Sequence, residues 1–261
     1  MMLVVEHLSV AFGGVRAIDN VSLAVGPGLV FSIIGPNGAG KTTLFNVISG
    51  LYRPERGRVR LAGEDVTALA PEDLARRGLS RTFQNPQIFF RMSVLENVMV
   101  GRHRHETTGM FADLFHLRAV GRQNRMTREA AGAALERAGL AAAAERPAGS
   151  LSFGDLKRLE LARALASEPK LLLLDEPAAG CNAVETAGIA AVIRRLSRDG
   201  ITVVLVEHDM RLVMNVSDRI HVLANGRTLA EGAGDEVRTN PAVIAAYLGI
   251  RGAEEAVGAR G

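Results

Sequence analysis

The sequence predicts an α/β protein with a mainly parallel sheet covered on both faces, an N-terminal antiparallel β subdomain and a helical insert. Three observations lead there. Continuous apolar runs of strand length, "LVFSII", "LLLLDEP" and "ITVVLVEHD", alternate with helix patterns, as strands buried on both faces do. The first thirty residues instead alternate short apolar runs with glycine turns ("LVVEHLSVAF", "GG", "VRAIDNVSLAV", "GPG"), the pattern of hairpins. From about Pro86 to Ala148 the β signals fade, and segments rich in Ala, Arg, Glu and Leu take over, notably "TREAAGAALERAGLAAAA".

In chain order, "LVFSII" (29–34) is a buried strand, followed by a glycine loop and a helix from Lys41 to about Ser49. Gly50 stands where a helix C-terminus usually places a glycine. "GRVRLAGEDV" reads as a further hairpin arm, residues 72–78 as a short helix, and "LSRTFQN" as a strand ending near Gln84. The insert is expected to carry its own small apolar face. After it, "SLSFGDLKRLELARALA" is a capped amphipathic helix, "LLLLDEP" a buried strand and "ETAGIAAVIRRLSRDG" a helix. "ITVVLVEHD" is the next strand, and "RIHVLANGRTLAEG" a hairpin turning at Asn225-Gly226. A last helix starts at Pro241 with Asn240 as its cap, and "GAEEAVGARG" reads as a frayed tail.

The 261 residues suffice for one large or two small domains. No apolar run approaches the roughly 20 residues of a membrane helix, and the N-terminus lacks the basic head and apolar stretch of a secretory signal. A single cysteine, Cys181, forms no internal disulfide, which fits a reducing compartment. The net charge is only +3, with arginines interspersed among acids as in "RPERGR", and aromatic residues make up 4%. That composition argues against nucleic acid as a partner.

Lysine occurs only three times (Lys41, Lys157, Lys170), and one copy sits beside three glycines. Gly35-Pro36-Asn37-Gly38-Ala39-Gly40-Lys41-Thr42 matches G-x-x-x-x-G-K-[ST] between a predicted strand and a predicted helix, the context that pattern requires. Glycines let backbone N–H groups turn inward around a β-phosphate, and the positive end of the helix opened by Lys41, Thr42 and Thr43 adds to the field. Lys41 then spans the β- and γ-phosphates and the Thr42 hydroxyl ligates Mg²⁺. In "LLLLDEP" a buried strand ends in Asp175, a carboxylate for Mg²⁺, and Glu176 follows where it can polarise an attacking water. The fold class becomes that of a P-loop ATPase core binding ATP and Mg²⁺.

A guanine-specificity motif, a long heptad region and a cysteine set are all missing from the sequence. What is present is Leu151-Ser152-Phe153-Gly154-Asp155 opening a helix some twenty residues before Asp175. By itself this reads as a capping box, with Ser152 the cap and Asp155 reaching back. In this order the motifs resemble the ABC transporter ATPase family over nearly the whole chain. The resemblance implies that 151–155 is the signature motif, with Ser152, Gly154 and Asp155 meeting the γ-phosphate of ATP held by the opposite subunit. It implies that Phe12 is the aromatic that stacks on adenine. It also implies that Gln84 in "RTFQNP" reaches Mg²⁺ and links the core to the insert, and that His208 in "LVEHD" is the switch histidine at the γ-phosphate. Two positions depart from the common pattern. Asp155 stands where a glutamine is usual, unfavourable near triphosphate unless turned away or paired, and Asn182 stands where many members have Asp.

"AFGGVRAIDNVSL", "RTFQNPQIFFRMSVLENVMVG", "DEPAAGCN" and "NPAVIAAYLG" resemble the ATPase subunits of branched-chain amino-acid importers, and the extended insert after Gly101 the longer of their two paralogues. The resemblance implies an ATP-binding core over 1–85 and 165–250 with a helical subdomain over 86–164 carrying the signature, before the tail 251–261. It implies a second ATPase subunit, itself or a paralogue, in a head-to-tail dimer. Two transmembrane permeases, a solute-binding protein acting through them, and a peripheral place on the cytoplasmic face of the inner or plasma membrane complete the expectation. Sister systems for urea, other amides or lipid export share much of this texture, and a soluble ABC-type ATPase is the reading from another class. In the insert, His103, His105 and His116 suggest a metal site only weakly. Met110, Phe111, Leu114 and Leu117 form a candidate apolar face against membrane, partner or the protein itself.

Overall fold

The structure is a computed structural model that describes residues 1–82, 87–102 and 118–247. Gln84, the insert histidines, the candidate apolar face 110–117 and the tail 251–261 lie outside the described residues. The strands are β1 (Leu3–Phe12), β2 (Val15–Val25), β3 (Val30–Ile34), β4 (Arg56–Leu61), β5 (Glu64–Asp65), β6 (Leu79–Arg81), β7 (Leu171–Asp175), β8 (Thr202–Val206), β9 (Arg219–Ala224) and β10 (Arg227–Gly232). The helices are α1 (Lys41–Ile48), α2 (Pro71–Arg76), α3 (Val94–Val100), α4 (Arg118–Arg137), α5 (Phe153–Leu165), α6 (Ala183–Arg198), α7 (Met210–Val216) and α8 (Gly234–Thr239). A last helical stretch covers 241–247.

Two sheets form. One is antiparallel in the order β2-β1-β4-β5, as the glycine-punctuated opening predicts. The other runs β10-β9-β3-β8-β7-β6 and is parallel except for the β9–β10 hairpin. That hairpin turns at Asn225 and Gly226, both at positive φ (49° and 75°), as expected of the two-residue turn.

The central parallel strands β3, β7 and β8 are buried at every position because both faces are covered. On β7, Leu171 and Leu173 face a core shared with the antiparallel subdomain and α1, through Leu3, Val5, Phe31 and Phe45. Leu172 and Leu174 face the opposite core, which joins Val94, Leu135 and Leu159 of the helical segments to Ile189 and Ile193 of α6. The helices of the insert therefore do not close over a face of their own. Their apolar stripe is continuous with the sheet core.

Three boundaries differ from expectation, and two short helices are additional. β6 ends at Arg81, and α2 covers Pro71–Arg76. α6 starts at Ala183 because Asn182 caps it, its Oδ1 accepting from Val184 N at 2.9 Å and Glu185 N at 3.0 Å. α7 and α8 are helices the periodicity does not announce, since seven and six residues hold too few apolar repeats. Asp209 nucleates α7 by accepting from Arg211 N at 2.8 Å.

Candidate nucleotide site

In parallel sheets the carboxyl ends of neighbouring strands share one edge, which is where ligands sit. β8 lies between β3 and β7, and Val206 pairs with Ile33 on one side and Asp175 on the other. The glycine loop after β3, the Asp175-Glu176 corner after β7 and the Glu207-His208 corner after β8 thus emerge together.

The loop is shaped by backbone. Gly35 has φ 151°, and any side chain there would collide with the Leu223 carbonyl. Gly226 of the β9–β10 turn donates to Ala39 O at 3.1 Å and accepts from Asp19 N of β2 at 2.8 Å, tying the loop to both sheets. Asn37, Gly38 and Thr42 are exposed, Pro36, Gly40, Lys41 and Thr43 are half-buried, and Ala39 is buried. Lys41 Nζ donates to Gly35 O at 2.7 Å and Pro36 O at 2.9 Å. Burial pushes its ammonium below the ordinary lysine range, while the carboxylates of Glu176 and Asp175 pull it back up.

Asp175 is buried and paired with Arg81 Nη2 at 2.8 Å. Arg81 Nη1 in turn donates to Asn46 Oδ1 (2.7 Å) and Ser49 Oγ (2.8 Å), both in or next to α1. Sequence reasoning missed this arginine. Its signal is a charged residue at the end of a short strand, which is easily read as solvated surface. Removing one partner of a buried pair strands the other charge, so Arg81→Met is expected to lower stability by about 3 kcal/mol in urea unfolding. A loss under about 1 kcal/mol would mark the pair as no better than a surface bridge.

Glu176 holds φ 48°, unusual for a residue with a Cβ and costing about 1–2 kcal/mol. Its amide donates to Val206 O at 2.9 Å, and its Oε1 lies 3.7 Å from His208 Nδ1. The His208 side chain is 64% exposed and reaches out from the corner. Behind it, buried Glu207, also missed from the sequence, accepts from Ala178 N (3.0 Å), His208 N (2.9 Å) and Asp209 N (3.3 Å). One carboxylate thereby locks the loop after Glu176 to the loop carrying His208.

Phe12 ends β1 half-exposed, its ring edge-on to Tyr52 at 5.3 Å, so the first hairpin and the turn after α1 together offer an open aromatic pair. Ser152 caps α5, its Oγ accepting from Asp155 N at 3.2 Å. The Asp155 carboxylate does not complete the expected capping box but pairs with Arg158 one turn on. That answers the electrostatic objection to Asp155, whose charge is compensated within its own helix. Ser152, Gly154 and Asp155 find their polar partners in α5 and α6.

Comparison with known proteins agrees with this geometry. A family model for the ABC transporter matches residues 18–179, and one for the branched-chain amino acid ATP-binding cassette transporter matches 227–252. The chain is 46% identical over 249 residues to the high-affinity branched-chain amino acid transport ATP-binding protein BraF of Pseudomonas aeruginosa, covering 95% of this chain and 98% of the relative. A crystal structure of the ADP conformation of an ABC transporter cassette superposes with a TM-score of 0.83 at 36% identity, covering 95% and 98% of the two chains. A dimeric bacterial ABC transporter cassette matches with a TM-score of 0.73 at 27% identity, over 89% of this chain and 98% of the other. Among the described residues no helix is long and apolar enough to cross a membrane. With a glycine loop, an acidic corner and a histidine corner at one sheet edge, and with that likeness along nearly its whole length, this chain belongs to the ABC transporter ATP-binding family and is an ATP hydrolase.

Proposed function

We propose that this chain powers an importer of branched-chain or related amino acids by pairing head to tail with a second cassette around two ATP molecules. The observation that carries the chemistry is the meeting of Glu176 and His208 at 3.7 Å, beside the strand that feeds the glycine loop. The solute class rests on the relatives' transport of branched-chain amino acids and on the matching segment at 227–252.

Lys41 exchanges its two carbonyl partners for phosphate oxygens, and the loop amides of 35–43 surround the β-phosphate. Thr42, Asp175 and Gln84 would hold Mg²⁺. Hydroxyl, amide and carboxylate oxygens suit this hard ion, which takes one or two carboxylates and fills the rest of its shell with phosphate and water. Bound there, the ion neutralises charge across the phosphate oxygens. Glu176 orients the attacking water and accepts its proton, and His208 donates to the γ-phosphate. Phe12 stacks on adenine. Ser152 and the first amides of α5 meet the γ-phosphate of the nucleotide on the partner cassette, with Asp155 kept off it by Arg158. Closure pulls, through the surface near Gln84 and the insert, on two permeases on the cytoplasmic face of the membrane, with a solute-binding protein beyond them.

The test is recovery of tagged protein carrying Glu176→Gln from gently solubilised native membranes with ATP and Mg²⁺. Two multi-span permeases and a second cassette are expected to co-purify. Ribosomal or DNA-bound partners instead would replace the importer with a soluble ABC-type ATPase.

A further inference from the structure

Glu185, at the third position of α6, uses both carboxylate oxygens. Its Oε2 accepts from Asn182 N at 3.0 Å, completing a reciprocal capping box. Its Oε1 crosses to α5 and accepts from Gly154 N at 3.0 Å. The approach depends on the glycine, because a Cβ at 154 would lie 2.5 Å from Glu185 Cγ. Thus the first turn of α5 has Asp155 N satisfied by its own cap and Gly154 N satisfied by an anion from another helix. Around this contact Ser152, Phe153 and Val184 are exposed, the last two apolar, as at a face awaiting a partner.

A carboxylate on a helix N-terminal amide occupies the position that a phosphate oxygen would take there. We propose that Glu185 is an intrachain latch, holding the Gly154 amide until the γ-phosphate of a nucleotide on the second cassette displaces it. This rests on the reading that 152–155 faces the partner's nucleotide. ATP-driven pairing then has to expel a resident anion, and Glu185 sets the ATP concentration at which pairing occurs.

The experiment compares the full chain carrying Glu176→Gln with the same chain carrying Glu176→Gln and Glu185→Gln, each with whichever second cassette co-purifies with it. ATP-driven association is followed by sedimentation. Glutamine keeps the size and one acceptor oxygen, enough for the Asn182 amide of the cap, but it removes the charge and turns an NH2, which cannot accept, toward the Gly154 amide. The ATP concentration at half-association is expected to fall about three- to tenfold, the scale of one charge at a helix N-terminus. A merely structural role predicts the opposite, weaker association through a damaged cap. Glu185→Ala, which removes the latch outright, is expected to shift association the same way, with thermal melting checking its fold. Equal or higher ATP requirements in Glu185→Gln overturn the latch and leave the head-to-tail reading standing. No ATP-driven association in either protein overturns both.

Discussion

Glu176→Gln is expected to bind ATP with near-normal affinity and to hydrolyse it at least about 100-fold more slowly, the contribution of a positioned general base. The geometry gives the reason. The corner is rigid, with Glu176 forced into a left-handed conformation, its amide on Val206 O and the following loop held by Glu207. Glutamine fits the same space and keeps an oxygen near His208, so the substitution removes the proton acceptor without removing the shape. Single-turnover hydrolysis and an ATP binding isotherm on the assembled complex separate the two quantities. Steady-state turnover within about threefold of the unsubstituted protein would remove Glu176 from the base role, because even a weak general base contributes more than that.

Lys41→Ala is expected to weaken ATP binding by about 100-fold, near 3 kcal/mol, at the upper end for hydrogen bonds to charged groups. The fold should survive, since the loop is also held by the Gly226–Ala39 bond and by the packing of Gly35 against β9. Burial depresses the Lys41 pKa, and the charged form is the one that meets phosphate. Its charge is therefore lost at a lower pH than an ordinary lysine's, and ATP affinity should decline correspondingly early as pH rises into the alkaline range. Isothermal titration across that range measures both effects. An unchanged dissociation constant in Lys41→Ala would detach the glycine loop from nucleotide binding.

Much of the site is legible in the sequence because its chemistry is local. Gly35 to Thr43 form a contiguous stretch whose conformation and donors are encoded residue by residue, and Asp175-Glu176 end an unmistakable buried strand. His208 and Ser152 are less local. Each is an ordinary residue by its neighbours, and only the order of motifs along the chain singles it out. Arg81, Glu207 and Glu185 are not legible at all. Their partners lie 94, 29 and 31 residues away, at Asp175, Ala178 and Gly154. A charged residue looks solvated in sequence unless its distant counterpart is known.

By itself, then, the sequence determined the alternation of buried strands and helices, the antiparallel opening, the phosphate-binding loop and the acidic strand end. These depend on periodicity, turn chemistry and contiguous spacing, which act within a few residues. Only the tertiary structure decided that the insert's helices share the sheet core. It also partners Asp175 with Arg81, and leaves the Gly154 amide in the grasp of Glu185. In each case a side chain's charge or amphipathic face has several possible partners along the chain, and packing selects the one that burial brings within hydrogen-bonding distance.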